Sequence, residues 1–216
     1  MSKTLYICGD STAASYSPEQ APMVGWGQLL GDLLPGIRVE NRAAAGRSTK
    51  SFLAEGRLQR IETEIRPGDL LLIQFTHNDM SDLVWRHTDP WTSFKNNLAI
   101  FIDTALQNAA RPVLATPVCR RLFENGVLQD SHGDYPRVIR QLAAQRNLPL
   151  VDLHEESRQY LARLGEEKSR ELYMNLLPGE YPAYPEGLPD NTHFRRSGAE
   201  AWARIAADKL KELGLV

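Results

Sequence analysis

The chain is poor in cysteine: Cys8 and Cys119 are the whole complement, and they form no spacing motif. Cys8 falls in a strand-like run and Cys119 just after one, so both read as buried or partly buried free thiols. No apolar run reaches the length of about 20 residues that a bilayer requires. Neither sign of charge dominates, with 25 basic and 27 acidic side chains and a net charge of −2. No half is strongly basic, which removes the electrostatic footprint of a nucleic-acid binder. Internal repeats and low-complexity segments are missing. The five histidines are scattered without ligand spacing, which argues against a metal site. The opening "MSKTLYICGD" turns polar too soon for a secretory signal, so the expected location is cytoplasmic. A mature secreted form would look the same. A G-x-S-x-G elbow is also missing, so the α/β-hydrolase fold is not supported.

What the chain does have is alternation. Over its 216 residues, enough for one domain (1–216) with a sizeable core of its own, short apolar runs trade places with helical stretches. "TLYIC" (4–8), "IRVEN" (37–41), "DLLLIQF" (69–75), "RPVLATP" (111–117) and "LPLVDL" (148–153) read as strands. The segments 25–34, 58–65, 91–109, 135–147, 154–165 and 195–213 have helical spacing. Alternating strands and helices predict an α/β layer fold with a mostly parallel sheet. "DLLLIQF" is apolar throughout, as expected of a strand covered on both faces.

In such sheets ligands bind outside the carboxyl ends of the strands. Four strand ends carry polar or glycine-containing segments: Gly9-Asp10-Ser11, Arg42 to Gly46, Thr76-His77-Asn78-Asp79, and Thr116-Pro117. Ser11 is either a cap or turn residue or a nucleophile. A serine hydroxyl needs a base, usually histidine. Of the five histidines, only His193 has a carboxylate placed as a local partner: Asp190 stands three residues before it in "LPDNTHF". On a turn or a first helical turn the two side chains would share a face, and Asp190 could orient the imidazole toward Ser11. Asp190 or Thr192 reads equally well as a cap of the last helix. Donors for a developing oxyanion are available at the N–H of Ser11, at a backbone N–H near Gly46, and at the side-chain amide of Asn78.

These blocks, "GDST" (9–12), the glycine of "NRAAAGRST" (41–49), the asparagine of "THND" (76–79) and "DNTH" (190–193), resemble those of the SGNH (GDSL-like) hydrolases. "ATPVCRRLFENG" (115–126), "DSHGDYP" (130–136) and "PLVDL" (149–153) are similar to the rhamnogalacturonan acetylesterase branch. The resemblance implies a flavodoxin-like three-layer α/β/α sandwich on a five-stranded parallel sheet. It implies Ser11 as nucleophile, His193 as base, Asp190 as its orienting partner, and Ser11, Gly46 and Asn78 as the oxyanion hole. It further implies deacetylation of pectic oligosaccharides without metal or organic cofactor, and no membrane partner. Thr76 stands where that family more often has glycine, and Cys119 where small polar residues are commoner. The same blocks serve lipases, thioesterases and other esterases, and a non-catalytic sugar-binding protein is a third alternative.

A uronate substrate calls for positive charge near the site. Arg47, Lys50, Arg120, Arg121 and Arg195 lie within a few residues of the site segments, and one or two of them are expected to bind it. Trp85 could present an apolar face to a sugar ring. The segment 174–194, rich in proline, glycine and tyrosine, reads as a long loop forming one wall of a cleft.

Overall fold

A computed structural model describes residues 3–216. In chain order the strands are β1 Thr4–Gly9, β2 Arg38–Asn41, β3 Leu70–Gln74, β4 Arg111–Ala115, β5 Phe123–Glu124, β6 Val127–Leu128, β7 Leu150–Val151, β8 Tyr173–Leu176 and β9 Leu188–Phe194. The helices are α1 Trp26–Leu29, α2 Thr49–Ala54, α3 Arg57–Glu62, α4 Lys95–Gln107, α5 Tyr135–Gln145, α6 Leu153–Ser169 and α7 Arg196–Glu212. Five strands form one parallel sheet in the order β2-β1-β3-β4-β7. None of the helices among the described residues is long and apolar enough to cross a membrane.

Both faces of the sheet are covered, and the period-two alternation of each strand divides the core in two. Leu5, Ile7, Leu70, Leu72 and Val113 face one side and pack with Trp26, Leu161 and Trp202 of α1, α6 and α7. Tyr6, Cys8, Leu71, Ile73 and Leu114 face the other and pack with Phe52, Leu58, Phe101 and Ile139 of α2 to α5. The outcome is the expected three-layer α/β/α sandwich on a five-stranded parallel sheet.

The chain leaves β1 toward β2 on one side, then crosses back to β3 on the other. The carboxyl ends of β1 and β3 therefore flank a topological switch point, the place where α/β sheets open a crevice. Ser11 follows β1 and Asn78 follows β3.

The helix expected over 154–165 breaks at Gly165 as read, where the backbone is non-helical at φ 75°, ψ 175°, and a second short helical stretch completes α6 to Ser169. Two expectations about local structure need correction. The segment Thr49–Ala54, not read as an element, is α2, capped by Ser48, whose Oγ accepts the Ser51 N–H at 3.2 Å. The segment 174–194 is not simply a loop: its two ends are β8 and β9, paired antiparallel as a hairpin. Four prolines between Leu176 and Phe194 disguise these strands in the sequence.

Candidate active site

The β8–β9 hairpin is irregular where it matters. Tyr173 pairs with Phe194 and Asn175 with Pro189, so two positions along β8 are matched by five along β9. The excess residues bulge outward, as bulged strands do beside functional sites, and Asp190 and His193 lie in this bulge. The pair is therefore presented by a distorted strand, not by the turn or helical turn that the spacing predicts. Neither Asp190 nor Thr192 caps α7; its N-cap is Arg195, which makes no side-chain cap bond. Instead Asp190 folds its own strand. Its Oδ1 accepts the N–H groups of Thr192 at 2.7 Å and His193 at 3.0 Å, and Oδ2 lies 2.6 Å from His193 Nδ1. Burial pushes the Asp190 carboxyl up, but the bond and charge of His193 and the two backbone amides outweigh it and hold the group below the usual carboxylate range. The other imidazole nitrogen, Nε2, is 2.8 Å from Ser11 Oγ. Residues separated by 182 positions thus meet in one hydrogen-bonded line.

The stretch after β1 divides its labour. Asp10 and Thr12 take the mechanical role: Asp10 Oδ1 accepts the Thr12 N–H at 3.0 Å and the Thr12 hydroxyl at 2.7 Å. Asp10 Oδ2 faces Gln74 Nε2 at 3.3 Å and His77 Nδ1 at 3.1 Å. Full burial pushes this carboxyl up, yet His77 and Thr12 more than offset the penalty and its pKa is lowered. Tyr16 Oη donates to the Ser11 carbonyl at 2.7 Å. With its backbone pinned on both sides, Ser11 leaves only its hydroxyl and its N–H toward the cleft. Behind Asp10, the rings of His77, His132 and His154 stack edge to face with centroids 4.8 and 5.4 Å apart. Burial holds His132 well below its ordinary pKa.

The other two candidate donors stand opposite. Gly46 has φ +79°, and a Cβ there would meet nothing within 4 Å. Glycine is needed for the backbone conformation, not for space. Among the described residues, neither the Ser11 nor the Gly46 N–H donates to another protein group. The Asn78 amide is held from both ends: Oδ1 accepts from Arg86 Nη1 at 2.9 Å, and Nδ2 donates to the Arg47 carbonyl at 3.1 Å. This fixes which end is NH₂ and leaves its second hydrogen free. Asp79 ties the two loops together. Its buried carboxyl accepts from the Thr49 N–H (3.1 Å) and hydroxyl (2.5 Å) at the start of α2, and from Thr88 Oγ1 (2.9 Å). Burial raises its pKa to about 7 despite those bonds. In the sequence Asp79 only closes the polar segment Thr76-His77-Asn78-Asp79; its role as the clamp between the Gly46 and Asn78 loops comes from the fold.

Ser11, Gly46, Asn78 and His193 line one open cleft of about 430 Å³. Of the expected sugar-binding residues, Arg120 lines this cleft, and the rest do not. Arg47 is engaged by Glu55 at 3.0 Å, Arg195 by Glu180 at 2.6 Å, and Lys50 by the Val84 carbonyl at 2.6 Å. Arg121 is buried against Ser169 Oγ at 3.1 Å and Asn191 Oδ1 at 3.3 Å, so it buttresses the β9 bulge from behind. Trp85 is half exposed and stacks under Arg86 at 5.3 Å, outside the cleft lining. Thr76 is buried and its hydroxyl turns back to the Phe75 carbonyl, away from crowding the loop. Cys119 is buried and its thiol is pushed up to about 12, so it is no nucleophile. Arg86, which does line the cleft, is the residue that sequence reading missed; nothing in a loop arginine eight positions after Asn78 signals the contact.

The GDSL-like lipase/acylhydrolase family model matches residues 7–201. The chain belongs to this family. It is 43% identical to rhamnogalacturonan acetylesterase RhgT of Bacillus subtilis (strain 168), over 98% of this chain and 90% of that protein. It is 42% identical to the probable rhamnogalacturonan acetylesterase YesY of the same strain, over 100% and 95% of the two chains. Among solved structures, protein YxiM of Bacillus subtilis superposes with a TM-score of 0.81 at 29% identity, covering 99% of this chain and 57% of that one. An acetylxylan esterase from Geobacillus stearothermophilus shares the fold at a TM-score of 0.65 and 18% identity, over 98% of this chain and 94% of that one.

Proposed function

We propose that this family member is a carbohydrate acetylesterase that removes acetyl esters from rhamnogalacturonan-type oligosaccharides through an acetyl-enzyme on Ser11. The observation that carries the catalytic part is the 2.8 Å approach of His193 Nε2 to Ser11 Oγ, with Asp190 2.6 Å behind the imidazole. His193 takes the hydroxyl proton as Oγ attacks the acetyl carbonyl. The carbonyl electron pair moves to oxygen, where the N–H groups of Ser11 and Gly46 and the free hydrogen of Asn78 Nδ2 receive it. Each such donor is worth roughly 10²–10³ in rate. As the tetrahedral species collapses, His193 gives its proton to the departing sugar oxygen. Water then repeats the cycle on the acetyl-enzyme and releases acetate. The choice of a pectic sugar as the alcohol rests on the names of the full-length relatives at 42–43% identity.

The test is acetate release from acetylated rhamnogalacturonan oligosaccharides and from p-nitrophenyl acetate, with wild type and Ser11→Ala. The expected outcome is release by the wild type and loss of roughly 10³-fold or more in the variant. Equal release overturns the reading. A site built for acetyl also loses activity steeply from acetate to butyrate esters, whereas a lipase gains it.

A further inference from the structure

Asp10 immediately precedes Ser11, and His77 immediately precedes Asn78. The two meet beneath the cleft. Asp10 Oδ2 accepts from His77 twice, from its backbone N–H at 3.3 Å and from ring Nδ1 at 3.1 Å. Gln74 Nε2, at the end of β3, donates to the same oxygen at 3.3 Å. The other oxygen, Oδ1, takes the N–H and the hydroxyl of Thr12, on the far flank of Ser11. Both neighbours of the nucleophile are thus tied through one carboxylate to the neighbour of Asn78. Asp10, Thr12 and Gln74 are at most 1% exposed and His77 only 6%, so these bonds form out of water, where each is stronger. The last ladder pair between β1 and β3 is Gly9 with Gln74; beyond it the two loops are joined through this carboxylate.

His77 is not a second base. Its bonds and those of Thr12 outweigh the burial that pushes the Asp10 carboxyl up, and an ionised carboxylate only accepts, so Nδ1 carries the hydrogen. Nε2 is out of solvent contact and has no polar partner among the described residues. The ring stands edge to face against His132 at 4.8 Å, and Arg120 Nη2 donates to the His77 carbonyl at 3.4 Å. The residue is held at its ring, its N–H and its carbonyl, and no step of the hydrolytic cycle consumes it. We propose that His77 is a positioning residue: its bond from Nδ1 to Asp10 sets the distance between the Ser11 N–H and the Asn78 amide, the oxyanion donors that follow β1 and β3. This rests on the esterase reading and adds to it a side chain that acts on the reaction through Ser11 and Asn78. Oxyanion donors gain rate by being in place before charge develops, and a misplacement of about 1 Å costs on the order of 10²-fold.

The experiment compares three substitutions at His77 in p-nitrophenyl acetate hydrolysis. Rates are divided by the number of Ser11 side chains titrated with diethyl p-nitrophenyl phosphate, so that misfolded protein does not count. His77→Leu fills the position without a donor. His77→Asn returns a donor to the place of Nδ1. His77→Gln carries its donor one bond further out and stays polar, which covers the case in which His77→Leu does not fold. Turnover per titrated site is expected to fall roughly 10- to 100-fold in His77→Leu and His77→Gln, with KM little changed, and to be largely restored in His77→Asn. In an Asn78→Ala background His77→Gln should cost much less than in wild type, because part of the hole that it positions is already gone. Wild-type turnover per titrated site in His77→Gln, His77→Asn as slow as His77→Gln, or full additivity with Asn78→Ala overturns the proposal. Ser11→Ala, assayed alongside, keeps the two readings apart. Hydrolysis that survives it removes the esterase itself; hydrolysis abolished by it but indifferent to His77 removes the positioning role alone.

Discussion

Replacing Asp190 with asparagine separates two duties that the carboxylate performs at once. Its Oδ1 accepts the backbone amides of Thr192 at 2.7 Å and His193 at 3.0 Å, while Oδ2 receives His193 Nδ1 at 2.6 Å. Asparagine retains the first duty, since its carbonyl oxygen accepts the same two amides and the β9 bulge keeps its shape. It reverses the second. An NH₂ group now faces Nδ1, which must answer with a lone pair, and the ring proton moves to Nε2. That proton points at Ser11 Oγ, 2.8 Å away, so the imidazole donates where it should accept. Loss of the correct tautomer in the Ser-His-Asp arrangement of serine proteases costs about 10⁴ in kcat, equivalent to about 5.5 kcal/mol of barrier. The same loss is expected here in p-nitrophenyl acetate hydrolysis at saturating substrate. Thermal melting of Asp190→Asn should stay within a few degrees of wild type, and Asp190→Ala, which also abandons both backbone amides, should melt lower than Asp190→Asn. A variant with asparagine that keeps more than a tenth of wild-type kcat refutes the tautomer reasoning.

Two other substitutions probe the oxyanion side. Gly46→Ala meets no steric neighbour, since a Cβ there has open space, but it forces an L-residue to φ +79°. The backbone penalty is about 1–2 kcal/mol, so Tm should fall by a few degrees and kcat by at least tenfold with KM little changed; unchanged melting and turnover refute a role for this backbone amide. Asp79→Asn tests the clamp through pH. With a native pKa of about 7 against 3.8 for the free group, the folded protein holds a proton that the unfolded chain has already released between these values. Wild-type stability at this residue therefore declines as pH rises, by up to about 1.4 kcal/mol per pH unit, and levels off above about 7. The melting temperature of Asp79→Asn relative to wild type should climb from pH 5 to 7 and then flatten; a constant difference from pH 5 to 8 refutes the raised pKa.

The central strands were legible because their burial is written in composition. Leu70, Leu71, Leu72 and Ile73 leave no polar face, which only a strand covered by helices on both sides tolerates. The positions of Ser11, Gly46 and Asn78 followed from the same reading, because the end of a buried strand in a parallel sheet is where backbone becomes free to meet a ligand. Here three such ends stand side by side, on β1, β2 and β3, which are adjacent in the sheet. Ser11, Asp190 and His193, the proposed triad, were legible one at a time, but not the element that holds two of them. Spacing of three suggested a helical face, whereas a carboxylate that accepts its own downstream amides achieves the same approach from a bulged strand.

The arginines show why site chemistry outruns sequence. Five cations near the site segments were indistinguishable by position, and the fold sorted them by what else each could reach. Arg121 follows Arg120 directly, yet one turns inward to Ser169 and Asn191 while its neighbour lines the cleft. Consecutive positions after β4 thus place one guanidinium behind the β9 bulge and the other in the cleft. Arg86 escaped notice because its partner is an oxygen on Asn78, a contact that no periodicity announces. The contact nevertheless follows from a need: an asparagine that offers one hydrogen to an oxyanion must have its amide locked against rotation, and a nearby cation is the group best suited to hold the oxygen end.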